Sequence, residues 1–230
     1  MQPTWLLILS LTTLVVGLAS ALTIVAHFVR GYRQPVRMME LVWPVTALYF
    51  GPAAIVAYRK WGLPESPRWR ERYGSPPKWP REASVAIHLC HCGAHCSIGA
   101  IIATVTVFAV KIRISGDISW PESIGDYVGA VAVGTTFRYA YESRRGGSRV
   151  WTAIARFVRA DLLPVSIFEF GLFVVLAPLD HFVFPEALRP NNPLFWSILQ
   201  VGLIIGFFAA WPVSSWQIRN GVEVELRATP

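Results

Sequence analysis

Six long apolar runs, separated by short polar connections, set the pattern of this chain. They extend from Trp5 to Phe28, Leu41 to Tyr58, Ser84 to Ile112, Ile124 to Ala140, Val158 to Phe184 and Leu194 to Trp216. A helix needs roughly 20 residues to cross a hydrocarbon core about 30 Å thick, and each run is close to that length. The pattern predicts an all-α, polytopic transmembrane bundle of about six helices, forming a single integral membrane domain over residues 1–230.

The runs differ in purity. The second contains Pro44 and Pro52, which spanning helices tolerate where neighbours repair the lost hydrogen bonds. The fourth contains Asp126 and ends at Arg138, with Gly125, Gly129 and Gly134 offering close approach to another helix. The fifth carries Asp161 and Glu169. Ala19-Ser20-Ala21 in the first run resembles a signal-peptide cleavage site. No Lys or Arg precedes that run, however, and it exceeds an ordinary signal core, so an uncleaved span is expected. No tandem repeat of fixed period is visible.

Composition strengthens the membrane reading. Of the 230 residues, 53% are hydrophobic and 15% charged, against about a quarter charged in soluble domains; the mean hydropathy is +0.44. The lipid bilayer is thus the expected partner. The net charge of +7 raises nucleic acid as an alternative, but the basic residues sit in the connections and there is no soluble basic domain, so no nucleic-acid partner is expected. The densest connection, "YRKWGLPESPRWRERYGSPPKWPRE" at 58–82, reads as a basic Pro/Trp-rich loop at about 59–83 lying on anionic headgroups. With six crossings, this loop, the one around Arg144 to Arg156 and both termini fall on one side, while Arg30, Arg33 and Arg37 fall on the other. The total charge balance places both termini in the cytoplasm. The first run alone argues the reverse, because its charges follow it.

The chemistry concentrates in "HLCHCGAHC", residues 88–96, which holds all three cysteines and three of the five histidines. At about 100° per residue, His88, Cys92, His95 and Gly99 make one helical stripe. His91 and Cys96 border it, and Cys90 points away. Gly93 and Gly99 offer room for a helix or an ion near the backbone. Neutral imidazole and thiolate select zinc, Cu(I) and iron, and polar groups in a bilayer demand a partner. One such residue reads as packing; six within nine positions read as a metal site. The candidate ligands are His88, His91, Cys92, His95 and Cys96.

In "RADLLPVSIFEFG", Glu169 and Asp161 are candidates for ion coupling or for second ligands, with Asp161 alternatively balancing Arg159. Asp126, Arg138 and Glu142 read as ion pairs beside the fourth run, and Asp180-His181 as an interfacial polar cap. No His-Glu-x-x-His, Gly-x-Ser-x-Gly or phosphate-loop motif is present, so no catalytic residue is assigned and an enzyme is not the expectation. The spacing does not match paired Cys-x-x-Cys ribbons, which leaves copper and zinc open, with haem less favoured. Copper transport or delivery, with a metal-delivery partner and a homo-oligomer as further expectations, is the most concrete reading. A membrane redox protein using haem or the thiols, and a structural or assembly subunit without chemistry, stay open beside it.

Taken in order, "LYFGPAAIVAYRKWG", "HCGAHCSIGAIIA", "ADLLPVSIFEFG" and "IIGFFAAWPVSSWQIRNGVEVEL" resemble a family of bacterial integral membrane proteins catalogued as a domain of unknown function. His91, Cys92, Gly93, Cys96 and Gly99 match its His-Cys-Gly-x-Gly-Cys-x-x-Gly-Asp pattern. This chain has His95 in place of a glycine, Ala100 in place of the aspartate, Ser214 in place of an asparagine and Glu223 in place of a lysine. His95 adds a ligand where Ala100 removes a carboxylate. The resemblance implies a multi-span fold in the bacterial inner membrane and carries no activity.

Overall fold

A computed structural model describes residues 3–76, 78–112, 119–143, 149–179 and 188–221. The described residues are helical, with no strand among them. Nine α-helices follow in chain order: α1 Thr4–Val29, α2 Met39–Phe50, α3 Pro52–Ala57, α4 Pro67–Tyr73, α5 Arg81–Val110, α6 Ser119–Ser143, α7 Val150–Ala160, α8 Leu162–Pro178 and α9 Pro193–Arg219. The chain is an all-α helical bundle.

Three helices, α1, α5 and α9, are long and apolar enough to cross a membrane. A fourth crossing is made if α7 and α8, bent by 59° at their junction, act as one span. Six crossings were expected. The shortfall lies in α2, which runs for only 12 residues, and in α6, which has 25 residues but carries Glu122, Asp126 and Arg138. In α1 the large apolar side chains Trp5, Ile8, Val15, Leu18 and Leu22 are exposed, while Ser10, Gly17, Ser20 and Ala21 are buried. Small residues turned inward and large apolar ones outward are what helix association in lipid requires.

The second apolar run folds back on itself. Gly51 adopts φ +57°, ends α2 and lets Pro52 start α3, a backbone state that glycine reaches without strain. The returning limb brings Tyr58 to 5.6 Å, ring centre to ring centre, from Trp43. In one continuous helix those residues would stand about 22 Å apart. Tyr58 also stacks edge-on against Phe28 at the end of α1. The Gln34 amide donates to the Gly62 carbonyl at 3.2 Å, and Arg68 bonds the Arg30 carbonyl and lies over the Tyr32 ring. Residues 30–38 and 58–68 therefore share one end of the molecule. The hairpin tip reaches mid-bundle, where Gln200 of α9 donates to the Leu48 carbonyl at 2.6 Å and Gly17 of α1 lies against the same group.

This changes the parity of the chain. Ser197, near the start of α9, donates to the Ser10 carbonyl near the start of α1 at 3.1 Å, so α1 and α9 run parallel. Arg81 at the start of α5 donates to the Ser215 carbonyl near the end of α9. The start of α1 and the end of α9 consequently lie at opposite ends of the bundle.

Helix α5 is central. It packs on α6 in antiparallel register, with Thr104 beside Asp126, Gly99 against Gly129 and Ala130, and His95 against Gly134. A Cβ added at Gly99 or Gly129 would overlap the opposing backbone. That contact brings the two helices close enough for side chains on α6 to reach the polar face of α5.

Candidate metal site

His88 and Cys92 stand one turn apart on α5, with Cys92 Sγ 3.8 Å from His88 Nε2. The third member comes from the junction of α7 and α8. Helix α7 buries Ala153, Phe157 and Ala160 and exposes Arg156 and Arg159, so it is amphipathic and packs Phe157 against Gly134 and His95. The chain then turns through the 59° bend at Asp161 and enters α8, with Pro164 in its first turn, where proline sacrifices no helical hydrogen bond. Asp161 is 3% exposed. Donor atoms of His88, Cys92 and Asp161 all lie within 4.8 Å of one another.

Zinc bonds of about 2.0–2.3 Å in a tetrahedral shell separate ligand atoms by about 3.3–3.8 Å. The His88–Cys92 spacing already meets that range, and Asp161 needs to close by about 1 Å. Arg138 of α6 orients the carboxylate: its Nη2 and Nε both donate to Asp161 Oδ2, at 2.6 and 3.1 Å. Oδ1 is outside this pair. Arg138 thus takes the role expected of Arg159. It is not paired with Asp126, which faces Thr104; the Glu142 side chain and Asp180-His181 lie outside the described residues.

The other candidates from residues 88–96 separate into two further groups. His95 Nε2 meets His91 Nδ1 at 3.0 Å, and the two rings stand edge to face with centroids 4.8 Å apart. Phe137 of α6 packs on both rings. Gly134 makes that approach possible, since a Cβ there would strike His95 Nδ1 and the Phe157 ring. Cys96 turns instead toward Glu169 of α8, close enough for thiol and carboxylate to interact. Cys90 faces α2, beside Thr46 and Tyr49. The division follows from helical geometry: His91 and Cys96 stand about 140° apart around the axis, so no single neighbour meets all five donors. Sequence reasoning missed Arg138 as the partner of Asp161; a lone arginine ending an apolar run was the available signal.

Residues 81–223, more than half of the chain, match the profile of a family described as a domain of unknown function, DUF4396. The chain belongs to this family. The matched region runs from the start of α5 past the end of α9 and carries His88, Cys92, Arg138, Asp161 and Glu169; α1 and the α2–α3 hairpin precede it. No curated protein matches the chain, and no solved structure does. DUF4396 membership brings no activity with it, so the chemistry of the site must carry the functional reading.

Proposed function

We propose that this protein is a multi-span component of the bacterial inner membrane that binds a borderline-soft metal ion, with transport or delivery as its task. The observation that carries the reading is the buried His88–Cys92–Asp161 group, whose donor atoms gather within 4.8 Å from two separate parts of the chain. One nitrogen, one sulfur and one oxygen ligand make a set suited to Zn2+, and three protein ligands leave a position open for exchange. Cu(I) prefers an all-sulfur environment, so zinc is the favoured cargo and copper the second choice. Arg138 holds the Asp161 carboxylate ready. His91 and His95, which each commit a ring nitrogen to the other, brace the α6 side, and Cys96 waits one turn deeper on α5.

The metal-binding end faces the cytoplasm in this reading. Arg30, Arg33 and Arg37 join the basic residues from Arg59 to Arg81 at the end where α5 begins and α9 stops, and an excess of Lys and Arg marks the cytoplasmic side. Helix α1 then starts on the outer side, as its own flanking charges require.

Elemental analysis and a visible absorption spectrum of the detergent-purified protein test the proposal. About one zinc per chain is expected, retained by Cys90→Ser and lost by His88→Ala and Cys92→Ser. Stoichiometric copper in its place would change the cargo. A Soret band, or a metal content equal in the Cys90 and Cys92 variants, would overturn the site.

A further inference from the structure

Beyond the triad, polar groups continue along the same helix. Glu169 lies two turns further along α8 than Asp161, is 1% exposed, and among the described residues its carboxylate has only the Cys96 thiol within interaction reach. Cys96 sits beside it. The tip of the α2–α3 hairpin enters at this depth: Tyr49 presses its hydroxyl against Gly93, where a Cβ would overlap it. That hydroxyl is buried, with the Thr46 side chain beside it, and lies within electrostatic reach of Cys92 and Cys96. On the other side, Asp126 of α6 is 5% exposed, accepts from Thr104 at 3.5 Å and feels the charge of Glu169. Tyr127 and Ser166 join α6 to α8 at 2.9 Å between them. From His88 to Thr104 the rise along α5 is about 24 Å, most of the ~30 Å hydrocarbon thickness.

Ionisable groups at such depth are costly and mark ion routes. Interrupted backbone at mid-membrane is tolerated where it is buried in protein or lines a cavity, and broken helices build ion sites in transporters. Two carboxylates, Glu169 and Asp126, together balance one divalent cation. We propose that Glu169, Cys96 and Tyr49 form a second divalent-metal station at the hairpin tip, and that Asp126 with Thr104 continues the route to the opposite end of the bundle. The proposal rests on the metal reading of His88, Cys92 and Asp161: the triad receives the ion, and the inner station passes it on.

The test uses the full chain in phosphatidylcholine–phosphatidylglycerol vesicles, with Zn2+ as the only metal outside and a zinc indicator inside. Wild-type protein should admit zinc faster than protein-free vesicles. Glu169→Gln and Asp126→Asn should each slow the initial rate at least tenfold, while in detergent both keep the zinc that Cys92→Ser loses. Tyr49→Phe removes one buried hydroxyl at little cost to the fold and should slow uptake at least threefold. Rates within twofold of wild type in all three variants would overturn the route. So would a wild-type protein that binds zinc at the triad and admits none. A wild-type protein without bound zinc would instead overturn the triad reading itself.

Discussion

Replacing Arg138 with methionine isolates the part of the site that the sequence did not announce. Arg138 and Asp161 side chains are 14% and 4% exposed, and two guanidinium nitrogens converge on one carboxylate oxygen. Methionine keeps the apolar stem and removes the charge, stranding the Asp161 carboxylate in the bundle. Removing one member of a buried pair costs about 3–5 kcal/mol, whereas replacing both is often close to neutral. For a chain of this size 1 kcal/mol corresponds to about 2–4 °C in Tm. Arg138→Met should therefore lower the melting temperature in mild detergent by about 6–20 °C. Asp161→Asn should act in the same direction, and the double variant should recover most of the loss. Zinc supplies a second check. A cation at the triad replaces the missing guanidinium, so zinc should stabilise Arg138→Met by about 2.7 kcal/mol at a hundredfold excess over its Kd, and should raise its Tm more than that of wild type at the same zinc concentration. Thermal unfolding followed by tryptophan fluorescence, with and without zinc, measures all four corners of the cycle. A coupling below about 0.5 kcal/mol would place the two residues among independent sites and refute the argument.

Three other outcomes are expected. Single cysteines introduced at the exposed positions Pro35 and Glu71, in a background lacking the native thiols, should both resist an impermeant thiol reagent added to intact cells; labelling at Pro35 alone would restore a full crossing by residues 39–62. Gly134→Leu should destabilise the protein by about 3 kcal/mol or more, since overpacking usually costs 1–3 kcal/mol and here the new side chain meets both His95 and Phe157; an unchanged Tm would contradict the tight α5–α6 register. Cys96→Ser should keep triad zinc and slow vesicle uptake, whereas Cys92→Ser should abolish binding; the same loss from both would merge the two stations into one.

The helices were legible because long apolar runs read directly as helices, and the described parts of all six runs are largely helical, in chain order. Direction was not legible. The run from Leu41 to Tyr58 contains enough apolar residues for a crossing, and only Gly51-Pro52 at its middle hinted at reversal; hydropathy counts residues without recording where the chain turns back. The same limit applies to the site. Angular arithmetic on α5 placed Cys90 opposite the other donors and ordered the rest, but it could not say which neighbour meets which donor. That depends on the glycines that draw α6 toward His95 and on the bend that lowers Asp161 onto His88. Asp161 was legible as a candidate and its partner was not, since Arg159, two residues away, offered a nearer cation along the chain than Arg138.

The half-depth hairpin also has an electrical meaning. Its tip lies near mid-bundle, so on the proposed route an ion beside Glu169 would have traversed about half of the transmembrane field. At about 2.3 kcal/mol per elementary charge per 100 mV, a divalent ion moving to that point from the triad, in the proposed cytoplasmic orientation, climbs about 2.3 kcal/mol against an interior-negative potential of 100 mV, and about as much again to leave. The reverse journey releases the same energy. An interior-negative potential thus favours entry over exit, and a protein that exports metal along the proposed route must draw on a second gradient to do so.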